Sequence, residues 1–182
     1  MKLLKTIRLD PSDTFVFDHA AEPGEWAVTG TFVFANSDPA ALEGKERTAF
    51  RAGFLGVESL GWSTLVQIVN ASEADRNAAI EQLAQRLYDH FGAPDIQAAR
   101  AAAEEEVNFA QSLCNHEADT LIAIHRTGAE GEIREAFRTL KARAGQKTFR
   151  AFTFMDVEEE EERPDDHVDL MSLAQQPQGE HK

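Results

Sequence analysis

The 182-residue sequence has one cysteine, Cys114, and one tyrosine among its aromatic residues. A lone thiol excludes an internal disulfide framework. Metal-ligand spacing is also missing. The histidines stand at 19, 90, 116, 125, 167 and 181, and no C-x2-C or H-x3-H pair occurs, so no structural or catalytic zinc is expected. Cys114-Asn115-His116 with His125 is the nearest thing to a cluster. Cys114 ends a helical stripe, where a free cysteine is usually a small buried hydrophobe. No glycine-rich phosphate loop follows a strand, and no cofactor is implied.

Basic residues are scarce, 18 against 32 acidic ones, for a formal charge of −14. Nucleic acid binds through basic stripes that release counterions, so DNA and RNA are excluded as partners. No apolar run is long enough to span a bilayer. The opening MKLLKTIRLDPSD lacks the apolar core of a secretory leader. These absences together predict a cytoplasmic protein that neither crosses nor binds a membrane.

What the chain does have is concentrated in Thr48–Val69, TAFRAGFLGVESLGWSTLVQIV. Ten large apolar residues stand there, punctuated by Gly53, Gly56 and Gly61. Its second half, TLVQIV, is apolar on both parities and reads as a central strand buried on both faces. Gly56-Val57-Glu58-Ser59-Leu60-Gly61 resembles a nucleophile elbow, but Val57 stands where the motif needs glycine. A turn that positions Trp62 is the favoured reading.

Around that centre the pattern predicts strands at Lys2–Leu9, Phe15–Phe17 and Glu25–Ala35, the last with a bulge at Gly30, forming an antiparallel meander. Asp38-Pro39 is a helix-start signal. Ser72 with Asp75 resembles a capping box opening a helix over Glu73–Phe91, stopped by Gly92 and Pro94. A second helix is expected over Asp95–Leu113 and a strand over Thr120–Ile124. A further helix is expected over Glu132–Arg143, from Ile133, Ala136, Phe137 and Leu140, and a closing strand over Phe149–Val157. Gly128–Gly131 reads as an ordinary turn, since Glu130 and Glu132 oppose an anion there. The fold class is α+β: a single domain with a mostly antiparallel or mixed sheet of about five to six strands and three to four helices.

At Val157 the character changes. From there to Lys182 nine acidic residues stand against two basic ones, half of the formal charge of −14, and aromatics cease. Such a segment buries too little apolar surface to offset the cost of ordering. The sequence therefore divides into a globular domain, 1–157, and a disordered acidic tail, 158–182. Within the tail Val168, Leu170, Met171 and Leu173 form a short apolar cluster. On a short helix they would present a partial stripe to a partner's groove.

The segments TIRLDPSDTFVF, GTFVF, AFRAGFLGVESLGWSTLVQIV, DTLIAIHRT and IREAFRTL, in this order, resemble an uncharacterised bacterial family of small acidic proteins. The likeness covers nearly all of residues 1–156. It implies no substrate, cofactor or site.

Function is consequently read from surfaces. Twelve phenylalanines, on both strand parities, require a sheet covered on both faces. A face left open would be a partner or homodimer surface. The first reading is a non-catalytic accessory protein that binds another protein through its tail or sheet face. The alternative is a small enzyme or ligand-binding domain with a pocket near Trp62, His125 and Arg126, because ligand sites gather at strand ends.

Overall fold

The computed structural model describes residues 1–129 and 132–141. The fold is α+β, with four α-helices and two antiparallel sheets. The larger sheet has the order β1-β5-β6-β7, built from β1 (Lys2–Ile7), β5 (Leu65–Asn70), β6 (Leu121–Ala129) and β7 (Glu132–Leu140). The smaller one has the order β2-β3-β4, from β2 (Ala27–Val28), β3 (Phe54–Gly56) and β4 (Trp62–Ser63). A single bridge joins Lys5 of β1 to Trp26, just before β2, and another joins Ala20 of the preceding loop to Trp62 of β4.

The expected central strand is there. β5 lies between β1 and β6, pairing Leu4 with Ile68 on one side and Val66 with Ile122 on the other. Its two faces are not alike: Val66 and Ile68 are fully buried, while Leu65, Gln67 and Val69 are half-buried. One face carries the main core and the other is only partly covered.

Two long helices follow. In α3 (Glu73–His90) the Ser72 hydroxyl accepts from the Asp75 amide and the Asp75 carboxylate accepts from the Ser72 amide, a complete capping box. In α4 (Ile96–Ser112) the Asp95 carboxylate accepts from the Gln97 and Ala98 amides. The buried stripe of α4 is Ala99, Ala103, Val107 and Ala110. Small side chains let it pack closely on α3 and over β1 and β2. Among the described residues no helix is long and apolar enough to cross a membrane.

Four expectations are corrected. Phe15–Phe17 is not a strand. The Pro11–Ser12 turn runs on into a helical turn, α1 (Asp13–Val16), where the Phe17 amide donates to the Asp13 carbonyl and Phe15 is 71% exposed. The long third strand stops after Val28. Gly30, at φ +75°, turns the chain left-handed, and Thr31–Phe34 forms a 3-10 turn, so no N-terminal meander forms; β1 pairs with β5 instead. Asp38-Pro39 caps only a turn, through the Ala40 amide to the Asp38 carboxylate. α2 (Gly44–Ala52) begins later, with Gly44 at φ +54°.

Glu132–Arg143 supplies the fourth. It is a strand over Glu132–Leu140, paired with β6 in continuous register from Leu121–Leu140 to Ala129–Glu132. Residues four apart share a face in a helix and also in a strand, so Ile133 and Phe137 fit both periods. The nine-residue pairing with β6 decides between them. The strand expected at Phe149–Val157, and the acidic tail, lie outside the described residues.

Candidate functional site

Alternation along β6 sends His125 and Arg126 to opposite faces. His125 is exposed, opposite Ala136 of β7. Arg126 is 0% exposed. An unpaired charge there would cost several kcal/mol in desolvation, about 3–5 kcal/mol in cases where a partner is removed. The partners are present. Nε donates to the Thr31 hydroxyl at 2.8 Å and to the Glu135 carboxylate at 3.0 Å. Nη1 donates to the Phe50 and Gly53 carbonyls at 2.9 and 2.8 Å, and Nη2 to the Thr29 carbonyl. The Thr31 hydroxyl donates in turn to Glu135.

The Phe50 carbonyl lies in the last turn of α2 and the Gly53 carbonyl just beyond it. The guanidinium therefore sits at the negative end of that helix as well as against Glu135. Burial works against its charge, and the hydrogen bond and charge of Glu135 oppose that effect. One side chain thus fastens together the loop after β2, the end of α2, and β7.

A second carboxylate faces this cluster. Glu106 of α4 has a buried Oε2 without a hydrogen-bond partner among the described residues. Its pKa is pushed up to about 7, chiefly by burial and then by Glu135, against the pull of Arg126.

Trp62 is half-buried and part of the core. Its ring stacks on Phe34 with centroids 5.3 Å apart and lies over Gly30 and Gly53. Trp62 and Arg126 therefore both touch Gly53, while His125 points away. The three expected residues do not converge on one cavity.

What stands beside Arg126 is a groove of about 300 Å³ between α2, the Asp38–Pro39 turn and β6. Pro39, Ala40 and Phe50 line it, Thr127 and Gly128 give one wall, and Arg47 and Arg51 stand exposed on α2. Gly128 is required for the close approach of that wall: a Cβ there would lie 2.4 Å from the Pro39 Cβ. Arg47 and Arg51 are one helical turn apart and project on the same side. Among the described residues neither has an ion-pair partner. Their spacing in KERTAFR was visible in the sequence, but nothing local distinguished them from an ordinary solvated helix face.

The other candidates resolve into structure. Ser59 sits in a turn whose geometry is set by Glu25, a buried carboxylate that accepts from the amides of Glu22, Glu58 and Ser59 at 2.6, 3.0 and 2.8 Å. The Ser59 hydroxyl accepts from the Gly61 amide at 3.0 Å. This turn delivers Trp62 to β4, and sequence reasoning had not found Glu25. Cys114 is buried, with its thiol donating to the Ala110 carbonyl at 3.5 Å, and burial raises its pKa to about 11. Among the described residues no group of three or more His, Cys, Asp or Glu side chains is placed to hold a metal. Val168, Leu170, Met171 and Leu173, the expected partner-binding cluster, lie outside the described residues.

No curated protein and no solved structure matches the chain significantly. A match over residues 1–160 shows that it belongs to DUF6505, a family of unknown function.

Proposed function

We propose that the chain is a non-catalytic, cytoplasmic interaction protein that holds an acidic segment of a partner protein in the groove between α2 and β6. The observation that carries this reading is the pair Arg47 and Arg51. On a chain of formal charge −14, these exposed guanidiniums stand together over an apolar floor, without ion-pair partners among the described residues. A guanidinium offers a planar fork of donors that matches a carboxylate. Two of them in line suit successive acidic side chains, and Phe50, Pro39 and Ala40 suit an apolar residue between them. The remaining cation of the groove, Arg126, has its donors committed internally and acts as support.

The test is fluorescence anisotropy of the full chain with a labelled glutamate-rich peptide and its glutamine counterpart. The acidic peptide should bind, weaken several-fold between 50 and 300 mM salt, and lose at least tenfold in affinity with Arg47→Ala/Arg51→Ala. Equal binding to parent and double variant, or no preference over the glutamine peptide, would reject the proposal. A small polycarboxylate that binds at the two arginines while the peptide does not would select the ligand-binding reading, moved from Trp62 and His125 to this groove.

A further inference from the structure

Asp13 is a buried carboxylate that the groove does not use. It is 6% exposed, yet among the described residues no Lys, Arg or His lies within ion-pair distance of it. Its hydrogen bonds are few as well. The Thr64 hydroxyl donates to Oδ1, and the Thr64 amide donates to Oδ2 at 3.2 Å. The Ser63 hydroxyl stands 3.4 Å from Oδ2, but its single proton is better placed for the Leu65 carbonyl at 2.8 Å. A carboxylate has room for about four donors, so the two neutral ones from Thr64 leave it short. A buried charge in that state costs desolvation that only a paired, hydrogen-bonded cation offsets. Asp13 lines a cavity of about 110 Å³, walled by Ile7, Leu9 and Leu65, with Asp10 and Thr64 also facing it. The Ser12 amide donates to the exposed Asp10 carboxylate at 2.7 Å, and hydrogen bonds from Ser12 hold its carboxyl below the ordinary range.

We infer that this cavity receives a lysine side chain of a partner protein, its ammonium paired with Asp13 and Asp10 and its methylenes laid against Ile7, Leu9 and Leu65. Cofactor sites take roughly 300–1,000 Å³, so this one has room for a single side chain. An ammonium is a compact charge with three donors, which matches the acceptors that Asp13 and Asp10 leave unfilled. A guanidinium would bring five donors in a wide planar fork, more than a narrow, apolar-walled cavity can satisfy. A hard metal ion needs six or more oxygen ligands, and among the described residues no group of three or more acidic, His or Cys side chains is placed to hold one. A lysine stem, by contrast, is suited to lie along apolar walls while its charge reaches a polar partner. The surroundings point to a protein as the source of that lysine. Leu9 is 57% exposed, and the helical turn that begins at Asp13 carries Phe15 and Val16 exposed as well. Exposed apolar side chains beside a charged cavity suit the residues that flank a lysine on a partner chain, and a free amine would have no use for them.

The test is an amide NMR titration of the isotope-labelled full chain with a short peptide that carries one lysine between leucines. The Thr64 amide donates to Asp13 and the Ser12 amide to Asp10, so both resonances should move and saturate together. Replacing the lysine by norleucine, which keeps the methylenes and removes the charge, should weaken binding at least tenfold. Asp13→Asn should do the same, and Asp10→Asn should weaken binding several-fold. Asp10 is exposed, so its variant and the norleucine peptide keep the test decisive even if Asp13→Asn does not fold. Phe15→Ala should weaken the peptide several-fold. An unmoved Thr64 amide, or equal binding of the lysine and norleucine peptides, would overturn the inference. n-Butylammonium binding as tightly as the peptide would overturn the partner source and assign the cavity to a small amine. Neither Asp10 nor Asp13 borders the groove of Arg47 and Arg51, so the two readings stand or fall separately.

Discussion

Arg126 and Arg51 line the same groove, yet the fold places their identical charges in opposite settings. Arg126 is sealed from water, with hydrogen bonds to three carbonyls, a hydroxyl and a carboxylate drawn from three parts of the chain. Arg51 is exposed, and among the described residues it pairs with nothing. A buried charge with all its partners in place fixes how surrounding segments meet, because any other arrangement strands it in a low dielectric. An exposed charge fixes nothing at home and remains available to bind. The difference teaches that burial, not residue type, separates the support of this groove from the surface proposed to bind.

The largest expected effect comes from breaking the buried side. Arg126→Met leaves Glu135 and the Thr29, Phe50 and Gly53 carbonyls without their donor, and should cost about 3–5 kcal/mol in urea unfolding. Arg126→Lys should recover little of this, since one ammonium cannot reproduce the fork. Removing the orphaned carboxylate as well, in Arg126→Met/Glu135→Leu, should restore part of the loss. If the single and double variants unfold at the same midpoint, the Glu135 partnership is not what holds the cluster.

A smaller effect, of opposite sign at high pH, is expected at Glu106. Its folded-state pKa is about 7 against an ordinary 4.5, so the folded chain binds the proton more tightly than the unfolded one. Glu106 therefore contributes its stability fully below about pH 4.5 and loses it as the pH rises to about 7. The span is on the order of 2 kcal/mol after allowance for partial exposure. Glu106→Gln should match the parent at pH 4.5 and exceed it at pH 8. Parallel urea-midpoint profiles for the two proteins between those pH values would show that Glu106 is not protonated in the fold.

How far the sequence carried these conclusions depends on the range of the interactions involved. The capping box at Ser72, the two helices and the central strand Leu65–Asn70 were readable because local spacing and local hydrogen bonds decide them. Phe15–Phe17 and Thr31–Phe34 misled because aromatic, β-branched runs favour strands by composition. The turn at Pro11–Ser12 and the left-handed Gly30, where an added Cβ would lie 2.6 Å from the Leu55 Cβ, overrule that preference. β7 misled because Ile133 and Phe137 satisfy both periods, and only pairing with β6 separates them. The groove was less legible still. Arg126 and His125 looked equivalent, as neighbours do, until the sheet gave them opposite faces. Arg126 bonds to Thr29 and Thr31, nearly a hundred positions away, and no window of sequence contains that geometry.

The smallest effect on stability, and the one that best sharpens the comparison, belongs to Arg47 and Arg51. Like charges four apart on a helix repel by a few tenths of a kcal/mol, so Arg47→Ala should leave stability unchanged or slightly raised. Arg51 stands in the last turn of α2, where a cation gains about 0.3–1 kcal/mol from the helix dipole. That gain is reduced because Arg126 already holds the Phe50 and Gly53 carbonyls at this helix end. Arg51→Ala should therefore change stability by no more than about 0.5 kcal/mol, the usual limit for surface substitutions. The same two changes should abolish the preference for an acidic peptide that the groove reading requires. If urea unfolding instead shows either substitution costing as much as Arg126→Met, these arginines are structural after all, and the division between support and working surface is lost.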